Sequence, residues 1–521
     1  MNISLKMLER WDKISVNLRQ PRTVTELKLI KVSQTIRAKP DWMEKLKNPT
    51  IVAKWKSECA KQNVNETEFQ YILDELRYYA TLTEGPIEIG PLDGTWQSDG
   101  LIDEQLLTVF KESVFELLEN VDESEKDYHP GTDNLVVDLV HPSLFCFVRG
   151  VSKIADETGI NADTMKELSD VGDEVVRSSN YRWLPSDTSC DENGVISFDS
   201  YINNLPPEKN AALYTLIGRI LSKFMPMFSR VLRDAAQRRQ IRIVVNDCNW
   251  WDNETEFEYR DDENDHDEQE RYEEWKLTRV LRLPEIPKFE PPTLTDISDF
   301  DFKGQKFQII VKLANIELTP DRPKYKGGVW HTEATESEAI VATGIYYYSM
   351  ENITESFLEF REATSDPPYE LLDDKEGIYQ VFGIENEGHL NQRLGNMIAR
   401  EGRCVVFPNL YQHKVAPFEL VETTREGHCK ILVFFLIDPK KRIISTRNVA
   451  PQNPVWDDMP AERVTMTLEE AKKYREELMS ERKCYRNELD EELYEREFFL
   501  GEREITKNCC SISNKKYSTY P

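Results

Sequence analysis

The chain has 521 residues, enough for two to four domains at ~150 residues each, and its 22 Phe, 21 Tyr and 10 Trp can build a sizeable core. Charged residues reach 31% and the net charge is −28, which argues against a phosphate-tracking surface and so against nucleic acid as a partner. The nine cysteines have no CxxC spacing, the first residues MNISLKMLERWDKISVNLRQ hold no uninterrupted apolar stretch, and ILVFFLI at 431–437 is too short to cross a bilayer, so an intracellular, cytoplasmic setting with no membrane partner is expected.

Residues 1 to about 80 are predicted to be helical, because KPDWMEKLKNPTIVAKWKSECAKQ and ETEFQYILDELRYYATL place apolar residues three and four apart. EQLLTVFKESVFELLENV (104–121) repeats that pattern. Proline-punctuated text follows, DYHPGTDNLVVDLVHPSLFCFVRG (127–150), in which His129 and His141 stand near prolines and read as supports for turns. NAALYTLIGRILSKFMPMFSRVLRDA (210–235) predicts an apolar-faced helix beneath a sheet, and IRIVV (241–245) predicts a strand. DNETEFEYRDDENDHDEQERYEE, within about 248–275, predicts an exposed or disordered acidic insertion, with His266 part of a solvated charge run. PEIPKFEPP (284–292) reads as a stiff connector.

From about 300 to 450 the text changes to short β-rich runs: KFQIIVKLANIEL, AIVATGIYYY, SFLEFREA, RCVVFPNL, HKVAPFEL and KILVFFLI. One charged excursion (363–400) interrupts them. Such a series suggests a sandwich or jelly roll rather than a βαβ sheet. TLEEAKKYREELMSERKCYRNELDEELYEREFFL (467–500) predicts a long, charged surface helix. The expected fold class is therefore α+β. It divides into a mainly helical region (1–209), a jelly-roll domain (210–455) carrying the acidic insertion at 248–275, and a C-terminal helix and tail (456–521).

The chemistry-bearing residues fall in the β-rich part. In GGVWHTEATE, His331 and Glu333 stand two apart, and on a strand such residues project from one face. They supply two ligands of a 2-His-1-carboxylate facial triad, and His413, opening HKVAPFEL after RCVVFPNLYQ, supplies the third. His389, in a polar turn, and His428, after Gly427, compete for that third place without the same strand context. Non-haem Fe(II) suits three such ligands on one octahedral face, leaving the other open to a cosubstrate and O₂. Zn²⁺ accepts the same donors, although zinc hydrolases of that ligand set usually carry two of them on a helix. No GxGxxG, P-loop, GxSxG or HExxH is present.

The order of these parts, His331-x-Glu333, a β run, SFLEF, Val-Val-Phe-Pro and then His413 with Val415 and Pro417, resembles the double-stranded β-helix of Fe(II)- and 2-oxoglutarate-dependent oxygenases. More specifically, HPGTDNLVVDLVHPSL, SYINNLPPEKN, VKLANIELTP, GGVWHTE, NLYQHKVAPFEL and GHCKILVFFLIDP resemble an uncharacterised family catalogued as a domain of unknown function, over nearly the whole chain. The superfamily resemblance implies an Fe(II) enzyme using 2-oxoglutarate and O₂ to oxidise a C–H bond. It also implies a cation for the cosubstrate's distal carboxylate on the strand after His413. That slot falls at Cys429 or Lys430, and Lys430 is the expected residue; with Cys429 in the slot, Arg425, Lys414 or Lys312 must reach in. Asn315 or Lys312 is expected near the cosubstrate's C1 end and Tyr346 along the pocket, while Arg361 and Arg403 read as either pocket cations or surface pairs. Two other readings stay open: a metal-dependent jelly-roll enzyme that does not use 2-oxoglutarate, and an inactive jelly-roll interaction scaffold.

Overall fold

The computed structural model describes residues 18–154, 166–167, 180–237, 241–245, 257–260, 264–292, 299–333, 336–369, 374–453 and 465–500. Its longer helices are α1 (Val24–Arg37), α2 (Pro49–Ala60), α3 (Glu66–Leu82), α4 (Glu104–Val114), α5 (Ala211–Ala236), α6 (Asp265–Thr278), α7 (Lys375–Phe382) and α8 (Leu468–Leu489). Local sequence sets several of their starts. Thr23 accepts a hydrogen bond from the Glu26 amide at the head of α1. Asn65 with Glu68, and Thr467 with Glu470, form reciprocal capping boxes at the heads of α3 and α8. Each cap satisfies amides that a first turn leaves unpaired.

The principal strands are β1 (Glu88–Ile89), β2 (Trp96–Ser98), β3 (Val136–Val140), β4 (Ser186–Cys190), β5 (Ile196–Phe198), β6 (Lys306–Leu318), β7 (Ile340–Glu351), β8 (Ser356–Ala363), β9 (Asn391–Ala399), β10 (Cys404–Pro408), β11 (Gln412–Val415) and β12 (Gly427–Ile437). They form a large sheet in the order β1-β2-β10-β7-β12-β6-β4-β5, with β3 also paired to β6, and a small sheet in the order β9-β8-β11. Every pairing among them is antiparallel.

Strand alternation sorts the large sheet's side chains into two cores. Val311, Leu313, Tyr346, Tyr348, Leu432 and Phe434 pack with Phe224 and Phe228 of α5. Ile310, Ala314, Ile345, Tyr347, Cys429, Val433 and Phe435 pack instead with Leu358, Phe360 and Leu394 of the small sheet. The fold is thus mixed α+β, with helices, large sheet and small sheet in layers. Gly344 lets α5 approach closely, because a Cβ there would lie 2.9 Å from ring atoms of both Phe224 and Phe228. Among the described residues no helix is long and apolar enough to cross a membrane.

Several elements depart from the sequence-based expectation. The region 1–209 is helical only in part, since β1–β5 arise between Glu88 and Phe198 and join the large sheet. The charged excursion at 363–400 contains α7 and the whole of β9, which completes the small sheet. Within the acidic insertion, 265–278 forms α6, capped by Asn264 and carrying Asp265, Asp267 and Glu268 in its first turn, where the helix dipole favours them. The remainder of the insertion lies partly outside the described residues.

IRIVV is not a strand. The amides of Arg242 and Ile243 donate to the Glu26 carboxylate at 2.9 and 3.1 Å. The Arg242 guanidinium reaches Glu75 at 2.9 Å and Asp93 at 3.0 Å, joining α1, α3 and the β1–β2 turn. A polar anchor has taken the place of a ladder. Arg242→Ala removes the cation shared by these three carboxylates and is expected to lower stability by about 3–5 kcal/mol, measured as a shifted midpoint in urea unfolding. A loss below about 1 kcal/mol would show the network to be dispensable.

Candidate metal centre

A short extended segment brings two distant histidines together. Lys324–Tyr325 pairs with Phe418–Glu419, the Gly328 amide donates to the Val415 carbonyl at 2.9 Å, and His331 and His413 exchange both backbone bonds at 3.1 and 2.9 Å. Residues 328–331 therefore lie alongside β11, at the edge of the small sheet. Gly327 permits this course, having φ +88° and lying where a Cβ would sit 2.8 Å from the Val415 carbonyl oxygen. On its other side β11 pairs with β8, placing His413 opposite Phe360.

Because 331 and 413 are directly opposed, their side chains leave the sheet together, and the rings lie 4.4 Å apart. Glu333 Oε1 is 3.2 Å from His413 Nε2 and 3.6 Å from His331 Nε2. Ligands about 2.1 Å from one metal and adjacent on an octahedron lie about 3 Å apart, so the three donors need to move only slightly to share an ion. His331 Nδ1 donates to the Val329 carbonyl at 2.8 Å, which turns the lone pair of Nε2 toward Glu333. Asn409, immediately after β10, holds the carboxylate's backbone. Its Oδ1 accepts from the Glu333 amide at 2.8 Å, and its Nδ2 donates to the Glu333 and Ile340 carbonyls at 2.9 and 3.1 Å. His413 is buried and packed by the rings of Phe407 and Phe360, at 4.9 and 6.2 Å.

The protonation pattern suits cation binding. Burial opposes ionisation of Glu333, but its bonds to His331 and His413 outweigh it and hold the carboxyl well below its ordinary range. Burial and then the His331 charge push His413 down. For His331, burial is overcome by the Glu333 carboxylate, and its pKa is raised above 6.5.

The predicted cosubstrate residues divide between the two faces of the large sheet. Cys429 lies on the small-sheet side. Lys430 points the other way, 2.5 Å from Glu119, just beyond α4. Asn315 shares that helical side: it donates to Glu119 at 2.9 Å and accepts from Tyr348 at 3.1 Å. Tyr346 is fully buried in the same helix-side core. Arg425 is exposed and pairs with Glu351 at 2.7 Å. Lys312, alternating with Val311 and Leu313, shares the small-sheet side with Cys429. It is half-buried, its charge is felt by His331, and it forms no hydrogen bond or ion pair among the described residues.

Other polar residues are held elsewhere. Lys414 pairs with Glu359, Arg403 with Asp99, and Arg361 bonds Gln412 and Glu495. His389 bonds the Glu495 carbonyl, and His428 bonds Ser349. Asn409 and the Val329 carbonyl escaped the sequence reading. Asn409 had one signal, its place at the end of RCVVFPN, where a strand gives way to the turn before His413.

These features define a mixed α+β chain built on antiparallel sheets, with a 2-His-1-carboxylate cluster on its small sheet. The chain belongs to a family described as "Protein of unknown function (DUF4246)", which matches residues 66–459, and the corresponding N-terminal domain matches residues 9–58. No curated protein matches it significantly. Among solved structures it is weakly similar to the Fe(II)/(alpha)ketoglutarate-dependent dioxygenase TqaL, at 8% identity and TM-score 0.28, over 73% of this chain and 94% of that one. It is also weakly similar to IDO from Bacillus thuringiensis, at 16% identity and TM-score 0.16, over 27% of this chain and 49% of that one. For the non-heme monooxygenase ThoJ, solved as a nickel complex, the values are 12% and 0.18, over 33% and 66%.

A metal must displace the proton from His331, while His413 and Glu333 are already in their ligating forms near neutrality. Affinity for a divalent ion is therefore expected to fall as pH drops through the His331 pKa, which lies above 6.5, by about tenfold per pH unit for one proton released. Anaerobic Fe(II) titrations from about pH 6 to 8 check this. A flat profile would contradict a role for His331 as ligand.

Proposed function

We propose that this chain is a non-haem Fe(II), 2-oxoglutarate-dependent oxygenase with a double-stranded β-helix core, and that His331, Glu333 and His413 hold the metal. The observation that carries the reading is the convergence of one ligand atom each from His331, Glu333 and His413 within 4.8 Å of one another, from segments about eighty residues apart. With bound iron and 2-oxoglutarate, such a site supplies O₂-dependent oxidation of a C–H bond, coupled to decarboxylation of the cosubstrate.

The protein's own contribution is positional. Val329 keeps His331 in the ligating tautomer, Asn409 fixes Glu333, and Phe360 with Phe407 cover the inner side of His413 against water. Lys312 is the residue assigned to a carboxylate of 2-oxoglutarate, being a half-buried ammonium on the face toward the small sheet that forms no ion pair among the described residues. Cys429 in the inward slot favours a second reading, a metal-dependent oxidation without 2-oxoglutarate, because the strand after His413 then brings no cation of its own.

Anaerobic addition of Fe(II) and then 2-oxoglutarate to the apo-protein is expected to produce the weak visible charge-transfer band of the chelate. His331→Ala and His413→Ala should each abolish it. Lys312→Ala removes one charge-assisted contact and should raise the apparent Kd for 2-oxoglutarate roughly 10- to 100-fold without removing metal binding. Metal binding with no band would leave the second reading standing, and no metal binding would overturn both.

A further inference from the structure

HPGTDNLVVDLVHP, which reads in the sequence as two turn-supporting histidines, folds into a second cluster of metal-ligating groups. Asp138 lies on β3, the strand that pairs with the 313–316 stretch of β6. The chain before it runs back along β3, with the His129 amide donating to the Val136 carbonyl at 2.8 Å. His141 follows directly after β3. As a result the rings of His129 and His141 lie 4.9 Å apart, with the Asp138 carboxylate against them, 2.8 Å from His129 Nδ1.

We infer that His129, Asp138 and His141 form a second divalent-metal site, separate from the His331–Glu333–His413 centre. Three observations support it. The ligand atoms all lie within 4.8 Å of one another, as they do in the first centre. The Asp138 side chain has no solvent exposure, yet its Oδ1 has no hydrogen-bond partner among the described residues. A bare oxygen on a buried carboxylate calls for an ion or an ordered water. Finally, Asp138 and His141 line a cavity of about 300 Å³, bordered also by Glu119, Asp127, Asn204 and Glu317, which leaves room for water to complete the coordination.

The electrostatics agree with this geometry. Burial opposes a charge on Asp138, but His141 and then His129 outweigh it and keep the carboxyl ionised. Burial pushes His141 well below its ordinary range, against the pull of the Asp138 carboxylate. One carboxylate and two imidazoles favour Fe²⁺, Co²⁺ or Zn²⁺ over Mg²⁺ and Ca²⁺, which take oxygen donors. Lys312, His129 and Arg475 all act on His141; Arg475 is neutralised by Asp127 at 2.6 Å, and Lys312 stays as a neighbouring ammonium. The Ser143 amide donates to His141 Nδ1 at 3.1 Å, so Nε2 carries the proton in the metal-free ring. An ion bound through Nε2 would send that proton to Nδ1, and one bound through Nδ1 would leave it in place; either way the Ser143 turn gives up its contact.

Titrating the anaerobic full-length protein with Co(II), with bound metal counted after equilibrium dialysis, tests the inference. The wild type is expected to take up two equivalents. The His331→Ala/His413→Ala double variant should keep one, and Asp138→Asn and His141→Ala should each lose one while retaining the other. His129→Ala, at a partly exposed position in the loop before β3, should weaken the second equivalent at least tenfold, and guards against misfolding of the buried variants. A single equivalent in the wild type, lost in the double variant and unchanged in Asp138→Asn, would overturn the second site alone. A single equivalent retained in the double variant and lost in Asp138→Asn would instead overturn the first centre.

Discussion

The candidate centre depends on one pair of backbone hydrogen bonds. By exchanging N–H···O contacts at 3.1 and 2.9 Å, His331 and His413 become directly opposed residues of an antiparallel pair. This geometry sends both rings to one side of the small sheet, whatever the intervening chain does. Glu333 then needs only to be steered back toward the two rings. Asn409 does so through the carboxylate's own backbone, using its Oδ1 and Nδ2 together.

The layers around that pair explain why it is rigid on one side and open on the other. β11 is backed by β8, and the rings of Phe360 and Phe407 fill the space behind His413. Among the described residues nothing comparable covers His331, whose side chain keeps about a third of its exposure while that of His413 keeps 4%. A ligand entering from solvent therefore meets His331 and Glu333 before His413. On the large sheet, alternation at β6 and β12 decides which side chains can face this opening. It turns Lys312 and Cys429 toward the small sheet and sends Asn315 and Lys430 to the helices, where Glu119 takes both. The same face of β6 lies beside Asp138 and His141, so Lys312 is felt by both histidine clusters.

Much of this was legible in the sequence because its determinants are local. The i, i+2 spacing of His331 and Glu333, the β runs around them and the caps of α1, α3 and α8 follow from short-range rules. The Lys430 assignment turned on a one-residue register, which reverses every side chain of a strand and which only the pairing with β6 and β7 resolves. IRIVV has the composition of a strand, but the buried carboxylates of Glu26, Glu75 and Asp93 claim its amides and its arginine. β9, NQRLGNMIA, was hidden because its polar residues and Gly395 obscure a period that its partner β8 imposes. The pairing of His129 with His141 was invisible for a similar reason: it rests on the chain before β3 folding back on that strand.

The most direct test of the central claim is anomalous scattering from anaerobic crystals soaked in Mn(II), a redox-stable stand-in for Fe(II). The account predicts a peak bonded to His331 Nε2, Glu333 Oε1 and His413 Nε2 at about 2.1–2.3 Å. Density at that position filled only by a water bridging the three side chains, with no anomalous signal, would contradict it.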